Sequence, residues 1–186
     1  MWVYVVYGSR SGDATVGIAR AIASSVEWSN ENEAHPAHEV DPDEIRVPSV
    51  VFLGCCSGGS ELDRSIRTLL DRLTDRRFYN ILWGVFDTRS EAIPRVAGSG
   101  IRRLRRAVEH RGGKVLISPQ SFYVGVLPTA ASQHELERAR SWGANAIAVA
   151  VHHFRDPLVR PGTLSGTPSR PLWETWRSVT AVSLSH

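Results

Sequence analysis

The sequence predicts an α/β protein, a three-layer doubly wound parallel sheet of five strands with helices on both faces. Three observations lead there. Short apolar, β-branched runs alternate with stretches of helical spacing five times along the chain. The runs are nearly unbroken in their apolarity, as strands covered on both faces are. Several end in small loops rich in Gly, Ser and Asp directly before a helix, and no internal repeat is visible.

Trp2 to Tyr7 reads as the first strand, aromatic and β-branched without a polar break. Gly8 to Asp13 follows as a turn-tolerant loop. A helix is expected from about Ala14 to Trp28, with Ile18, Ala21, Ile22 and Ser25 in one stripe and Gly17 permitting close approach. Ser29 to Pro48 is polar and broken by three prolines, which leaves room for a short strand near Ala37 to Val40. Asp41 to Ile45 then looks like one capped helical turn.

Ser49 to Gly54 is the clearest central strand, ending in Cys55-Cys56-Ser57-Gly58-Gly59-Ser60. The helix expected from Glu61 to Asp75 sets Leu62, Ile66, Leu69, Leu70 and Leu73 on one face. Tyr79 to Phe86 is the next strand, closed by the loop Asp87-Thr88-Arg89-Ser90. Helical spacing returns from Val96 to Arg111, and Gly112-Gly113 stops it. Lys114 to Ile117 and Ser121 to Val124 make a last strand broken at Ser118-Pro119-Gln120, as an edge strand tolerates. The final helix runs from Ser132 to His152, with Ser132-x-x-Glu135 as a capping box.

Residues 1–153 therefore form one domain, and 154–186 a Pro- and Gly-rich arm carrying Leu172, Trp173, Trp176 and Val179 near its end. Such an arm either lies along its own domain or clasps a second subunit as a homodimer. The formal net charge is +3, and Lys114 is the single lysine among the basic residues. The densest basic run, Arg102-Arg103-Leu104-Arg105-Arg106 with Arg111, sits on a helix whose apolar positions leave the arginines outward. A solvated face is favoured over a patch for nucleic acid or an acidic partner. No apolar run is long enough to span a membrane and no basic segment precedes the first strand, so a cytoplasmic protein is expected. Cys55 and Cys56 are adjacent and cannot form a disulfide framework; small buried residues are the favoured reading of them.

The most informative motif is Tyr7-Gly8-Ser9-Arg10-Ser11-Gly12-Asp13-Ala14. It contains neither G-x-x-x-x-G-K-[ST] nor G-x-G-x-x-G. It resembles the phosphate loop of flavodoxins and of the flavodoxin domains of diflavin reductases, which run aromatic-Gly-Ser-x-Thr-Gly-x-Ala or -Thr. The other reading of the same residues is an ordinary turn capped by Ser11 or Asp13. Val51 to Leu62 and Trp83 to Thr88 are similar to the next two strands and loops of the family. From Gly113 to Trp142 the chain resembles short prokaryotic flavodoxin-domain proteins.

This resemblance implies a flavodoxin-like strand order 2-1-3-4-5, FMN as cofactor, and a crevice where the loops Gly8 to Ala14, Cys55 to Glu61 and Phe86 to Ser90 converge. It implies phosphate contacts from Ser9, Ser11, Gly12 and the amides from Arg10 through Asp13 to Ala14, with Arg10 as a possible charge-assisted partner. Cys56, Ser57, Gly58 and Gly59 would line the site from the second loop, and Phe86, Asp87 and Thr88 from the third. The second loop lacks the aromatic that typical flavodoxins stack on the flavin ring. Phe86 is either a stacking partner or a core residue, and Phe122 or Tyr123 could serve instead.

Other chemistries are disfavoured. Tyr7-Gly8 and Cys55 occupy the places where a receiver domain needs acidic residues, G-x-S-x-G is absent, and His152-His153 has no metal-ligand spacing around it. No general acid or base stands out, and a flavin would carry the chemistry itself. The expected function is electron transfer or flavin-dependent reduction with a redox partner protein or a small-molecule electron acceptor. The alternative is a cofactor-free scaffold acting through its arginine helix and arm.

Overall fold

The computed structural model describes residues 1–8, 12–26, 33–57, 62–74, 78–90, 100–125 and 130–155. The chain order is β1 (Trp2–Tyr7), α1 (Asp13–Ala23), β2 (Ala34–Pro36), a 3-10 turn (Pro42–Glu44), β3 (Ser49–Cys56), α2 (Arg64–Arg72), β4 (Ile81–Ser90), α3 (Gly100–Glu109), β5 (Lys114–Val115), β6 (Gln120–Val124) and α4 (Gln133–Arg155). The sheet runs β2-β1-β3-β4-β5, β6 also pairs with β4, and every pair is parallel. The expected order 2-1-3-4-5 is present, with the last strand split in two.

Alternation along each strand builds two cores. Val3, Val5, Val50, Phe52, Leu82 and Phe86 face α1 and α4, where Ile18, Ile22, Ala139, Ala146 and Ala150 are buried. Val6, Val51, Leu53, Trp83 and Val85 face α2 and α3, which contribute Ile66, Leu69, Leu70, Leu104 and Val108. The third layer thus follows from period-two burial on the strands and 3.6-residue burial on the helices.

Several boundaries differ from the sequence reading, each for a physical reason. The second strand lies at Ala34–Pro36 rather than Ala37 to Val40: the Ala37 N–H makes a last bond to β1, at the Tyr7 carbonyl (2.7 Å), and the Glu39 N–H then folds back to the Pro36 carbonyl at 3.0 Å as a turn. Pro36 is tolerated because β2 is an edge. The 3-10 turn is capped as expected: Asp41 Oδ1 accepts from the Asp43 N–H at 3.1 Å. α2 begins at Arg64, since Asp63 caps it by accepting from the Ser65 N–H at 2.9 Å.

Asp87 to Ser90 are not a loop. They extend β4 and pair with β6, Asp87 opposite Ser121 and Ser90 opposite Val124. α3 ends where Gly112 takes a φ of +81°, a left-handed conformation that suits glycine. Only half of the capping box forms on α4. Ser132 Oγ accepts from the Glu135 N–H at 3.3 Å, while the Glu135 carboxylate binds the Tyr123 N–H at 2.9 Å and Arg138 at 2.5 Å.

The glycine that permits close helix packing is Gly143, not Gly17. A Cβ on Gly143 would stand 2.7 Å from Ser25 Oγ and 3.1 Å from Ile22 Cγ2, whereas one on Gly17 would meet nothing nearer than Leu136 at 3.9 Å. α4 continues through Phe154 and Arg155, the first two residues of the expected arm, and the rest of the arm, with Trp173 and Trp176, lies outside the described residues.

Candidate functional site

β1, β3 and β4 deliver their carboxyl ends side by side, with Tyr7 opposite Gly54 and Gly54 opposite Phe86. The Gly8 N–H continues the ladder to the Gly54 carbonyl at 2.9 Å. A Cβ on Gly8 would stand 3.0 Å from the Asp63 carboxyl carbon, so the start of the first loop and the cap of α2 are in contact. Asp63 was not among the residues singled out from the sequence; the Asp-x-Ser spacing before α2 is the signal that could have found it.

α1 starts with Gly12 in extended backbone and without a side-chain cap. The Gly12 carbonyl accepts from the Thr15 and Val16 N–H groups, while Gly12 itself is exposed and Ala14 buried. Among the described residues no side chain caps this first turn, and the N–H groups of a helix start suit an anion. Ser9, Arg10 and Ser11 lie outside the described residues, as do Gly58, Gly59 and the side chain of Asp13.

Thr15 on α1 and Thr88 on β4 are both buried, and their hydroxyl oxygens lie 2.5 Å apart. This contact joins the first helix to the third strand end. Asp87 is fully buried: Ser57 donates its hydroxyl to the carboxylate, the Ile101 N–H donates at 3.0 Å, and Arg89 Nε sits at 3.3 Å. Asp87 therefore ties the end of β3 to the beginning of α3. The Ser57 N–H adds a bond to the Thr88 carbonyl at 2.9 Å.

Phe86 takes the inward position of its two alternatives. Its ring is fully buried and covers Gly54, where a Cβ would stand 2.0 Å from Phe86 Cζ. It meets Phe122 at 6.2 Å and Trp142 at 6.3 Å in edge arrangements. The ring thus packs in the core against these two rings. Phe122 is equally buried, and Tyr123 is half-buried on the edge strand.

Cys55 and Cys56 are free thiols on opposite faces of β3, Cys55 buried and Cys56 exposed at the crevice. Burial, reinforced by the Asp87 carboxylate, pushes the Cys55 thiol up to about 12. Cys55 is thus an inert packing residue at neutral pH. Among the described residues there is no cluster of three or more His, Cys, Asp or Glu able to hold a metal ion, and no helix long and apolar enough to cross a membrane.

No protein-family model and no curated protein sequence matches the chain. Solved structures do. Flavodoxin 2 from Bacillus cereus aligns with 82% of this chain and 99% of its own, at a TM-score of 0.61 and 19% identity. A flavodoxin from the domain Archaea aligns with 81% and 99% respectively, at a TM-score of 0.62 and 16% identity. The fold is that of the flavodoxins. The Flv1 flavodiiron core from Synechocystis sp. PCC6803 shares the flavodoxin fold over 82% of this chain but 36% of its own, at a TM-score of 0.58 and 19% identity. Within the flavodoxin fold, the crevice beside α1 is the topological switch point, where β1 is flanked by β2 and β3 and the chain changes direction.

Proposed function

We propose that this chain binds FMN in the crevice at the carboxyl ends of β1, β3 and β4 and serves in electron transfer. The observation that carries the reading is the first turn of α1. It opens at Gly12 without a side-chain cap, directly after the loop Gly8 to Ser11 and at the switch point of the sheet. The flavodoxin fold of the neighbouring structures supports it.

In this reading Ser9, Arg10, Ser11, Gly12 and the amides of Asp13 and Ala14 hold the phosphate, and Cys56, Ser57, Gly58 and Gly59 border the rest of the cofactor. FMN, when bound, supplies one- or two-electron transfer. The chain's own contribution is positional. Asp87 and Thr88 are buried below the crevice, so they fix its loops rather than touch a ligand: Asp87 holds Ser57 and the start of α3, and Thr88 holds the start of α1. Cys56 is the exposed side chain at the end of β3, next to Ser57, where the resemblance to flavodoxins would put an aromatic. The electrons pass to a redox partner protein or a small-molecule acceptor.

Phosphate contacts should dominate affinity. A charge-assisted hydrogen bond contributes about 1.5 to 3 kcal/mol, against about 0.5 to 1.5 for an aromatic stacking pair beyond its area burial. The test is calorimetry with FMN and riboflavin, read beside flavin fluorescence quenching. FMN is expected to bind at least about tenfold more tightly, a difference of about 1.4 kcal/mol, and Gly12→Val or the pair Ser9→Ala and Ser11→Ala should erase that difference. Equal affinity for the two flavins, or no binding of either, would overturn the reading.

A further inference from the structure

The flavin crevice leaves one cavity unexplained. It measures about 370 Å³ and lies between α2 and the turn that follows β2, with Arg64, Ser65, Thr68 and Arg72 on the helix side and Ala37, His38 and Val40 on the turn side. Its size falls in the range of small-molecule sites. The turn is fixed in place, since the Ala37 N–H binds the Tyr7 carbonyl at 2.7 Å and the Glu39 N–H binds the Pro36 carbonyl at 3.0 Å.

Sequence spacing explains why α2 builds one wall. Residues 64, 65, 68, 69 and 72 recur at i, i+1, i+4, i+5 and i+8, which is one face of a helix. Leu69 and Ala37 are buried and make an apolar floor, while the Thr68 hydroxyl adds a donor above it and the Ser65 hydroxyl is donated to the Asp63 carboxylate. The backbone positions of Arg64 and Arg72 lie about 12 Å apart along the helix axis, at eight residues of 1.5 Å rise.

The charge of this cavity is one-sided. Among the described residues that line it, none is acidic. Asp63 is turned to the Ser65 N–H and to Gly8, and His38 Nε2 lies 3.5 Å from Glu39. Arg72 meets Asp41 at 3.3 Å in a pair exposed by about half on both sides, which contributes little in water. Among the described residues Arg64 has no carboxylate partner.

We propose that this cavity is a second binding site, for a small organic anion whose phosphate or carboxylate is held by Arg64 and the Thr68 hydroxyl. The apolar body of the ligand lies on Leu69 and Ala37, and Arg72 closes the far end, exchanging Asp41 for the ligand. Guanidinium forks suit both oxyanions. None of its lining residues is among those assigned to the flavin, and the site does not depend on FMN binding.

The experiment uses the full chain and three probes: phenyl phosphate, benzoate and inorganic phosphate, each titrated to millimolar concentration while the amide signals of Ser65, Thr68 and Val40 are followed by NMR. Saturable shifts with phenyl phosphate or benzoate are expected, and the tighter of the two assigns the ligand to phosphates or carboxylates. Arg64→Ala combined with Arg72→Ala, both at exposed positions, should weaken binding at least about tenfold, and Gly12→Val in the flavin loop should leave it unchanged. Three results would overturn the proposal: no saturable shift with any probe, shifts unaltered in the double variant, or inorganic phosphate binding as tightly as phenyl phosphate, which would leave the apolar floor without a role.

Discussion

Replacing Asp87 by Asn tests whether the third strand end is held by charge or by shape. The substitution keeps the size of the side chain and removes its negative charge. Arg89, whose side chain is 13% exposed, would then face a neutral group. Breaking a buried ion pair from one side costs about 3 to 5 kcal/mol, and the residual access of Arg89 to water places this case near the lower end. The amide also has a single acceptor oxygen, where the carboxylate now serves Ser57, Arg89 and the Ile101 N–H. One mismatched donor adds about 1 kcal/mol, for a total of about 3 to 4. At about 2 to 4 °C per kcal/mol for a chain of this length, Tm should fall by roughly 10 °C. Urea denaturation followed by far-UV circular dichroism reads the free energy directly. Asp87→Asn with Arg89→Met should lose less than the two single variants together, because the orphaned cation is then gone. A loss below about 1 kcal/mol for Asp87→Asn, the size typical of an exposed pair, would refute the view that this carboxylate organises the crevice.

Maleimide at neutral pH should label Cys56 and leave Cys55 unmodified until the protein unfolds, which mass spectrometry after proteolysis would read. The raised Cys55 thiol also sets a pH dependence. Below the ordinary value of 9.0 both folded and unfolded thiols are protonated and nothing changes; between 9.0 and about 12 only the unfolded chain gives up the proton, so stability falls as pH rises through that window. Cys55→Ala should flatten this part of the stability profile, and an unchanged slope would count against the assignment. Gly143→Ala should cost about 1 to 3 kcal/mol through collision with Ser25 and Ile22, despite the better helix propensity of alanine. Gly17→Ala, on a helix surface with open space, should stabilise by up to about 1 kcal/mol. Thermal melts that rank the two variants the other way round would contradict the packing of α1 against α4.

The parts of the fold legible in the sequence were those where one local signal sufficed. β1, β3 and the apolar half of β4 were read from unbroken β-branched runs, and α2 and α3 from their leucine and isoleucine stripes. The parts that were missed depend on distant partners. Asp87 to Ser90 looked like a loop because they are polar, yet they continue β4 because β6 pairs with them and Ser57, Thr15 and Ile101 satisfy their side chains. β2 carries no strand signal in Ala-His-Pro; its place is set by β1. The inward turn of Phe86 was decided by Gly54 on the neighbouring strand, whose missing side chain makes room for the ring. In the crevice, loop composition pointed to the right strand ends, while the polar ties beneath it follow from contacts across more than ten residues of sequence and were invisible in any single motif.

The divided last strand has a consequence for how this protein behaves at high concentration. An open sheet with a long free border is a template on which another chain can add a strand, the first step of aggregation. Here one described border, β2, is three residues long and contains proline, and on the other β5 has only two residues. The five residues of β6 would be the longest available template, but the Tyr123 N–H is already occupied by Glu135, an ionisable group placed outside the sheet and held there by Arg138 at 2.5 Å. An approaching strand would have to displace that carboxylate from its backbone donor and expose the Arg138 cation before forming its first bond. The short β5 and the Glu135 carboxylate on β6 thus act together as a guard against self-association.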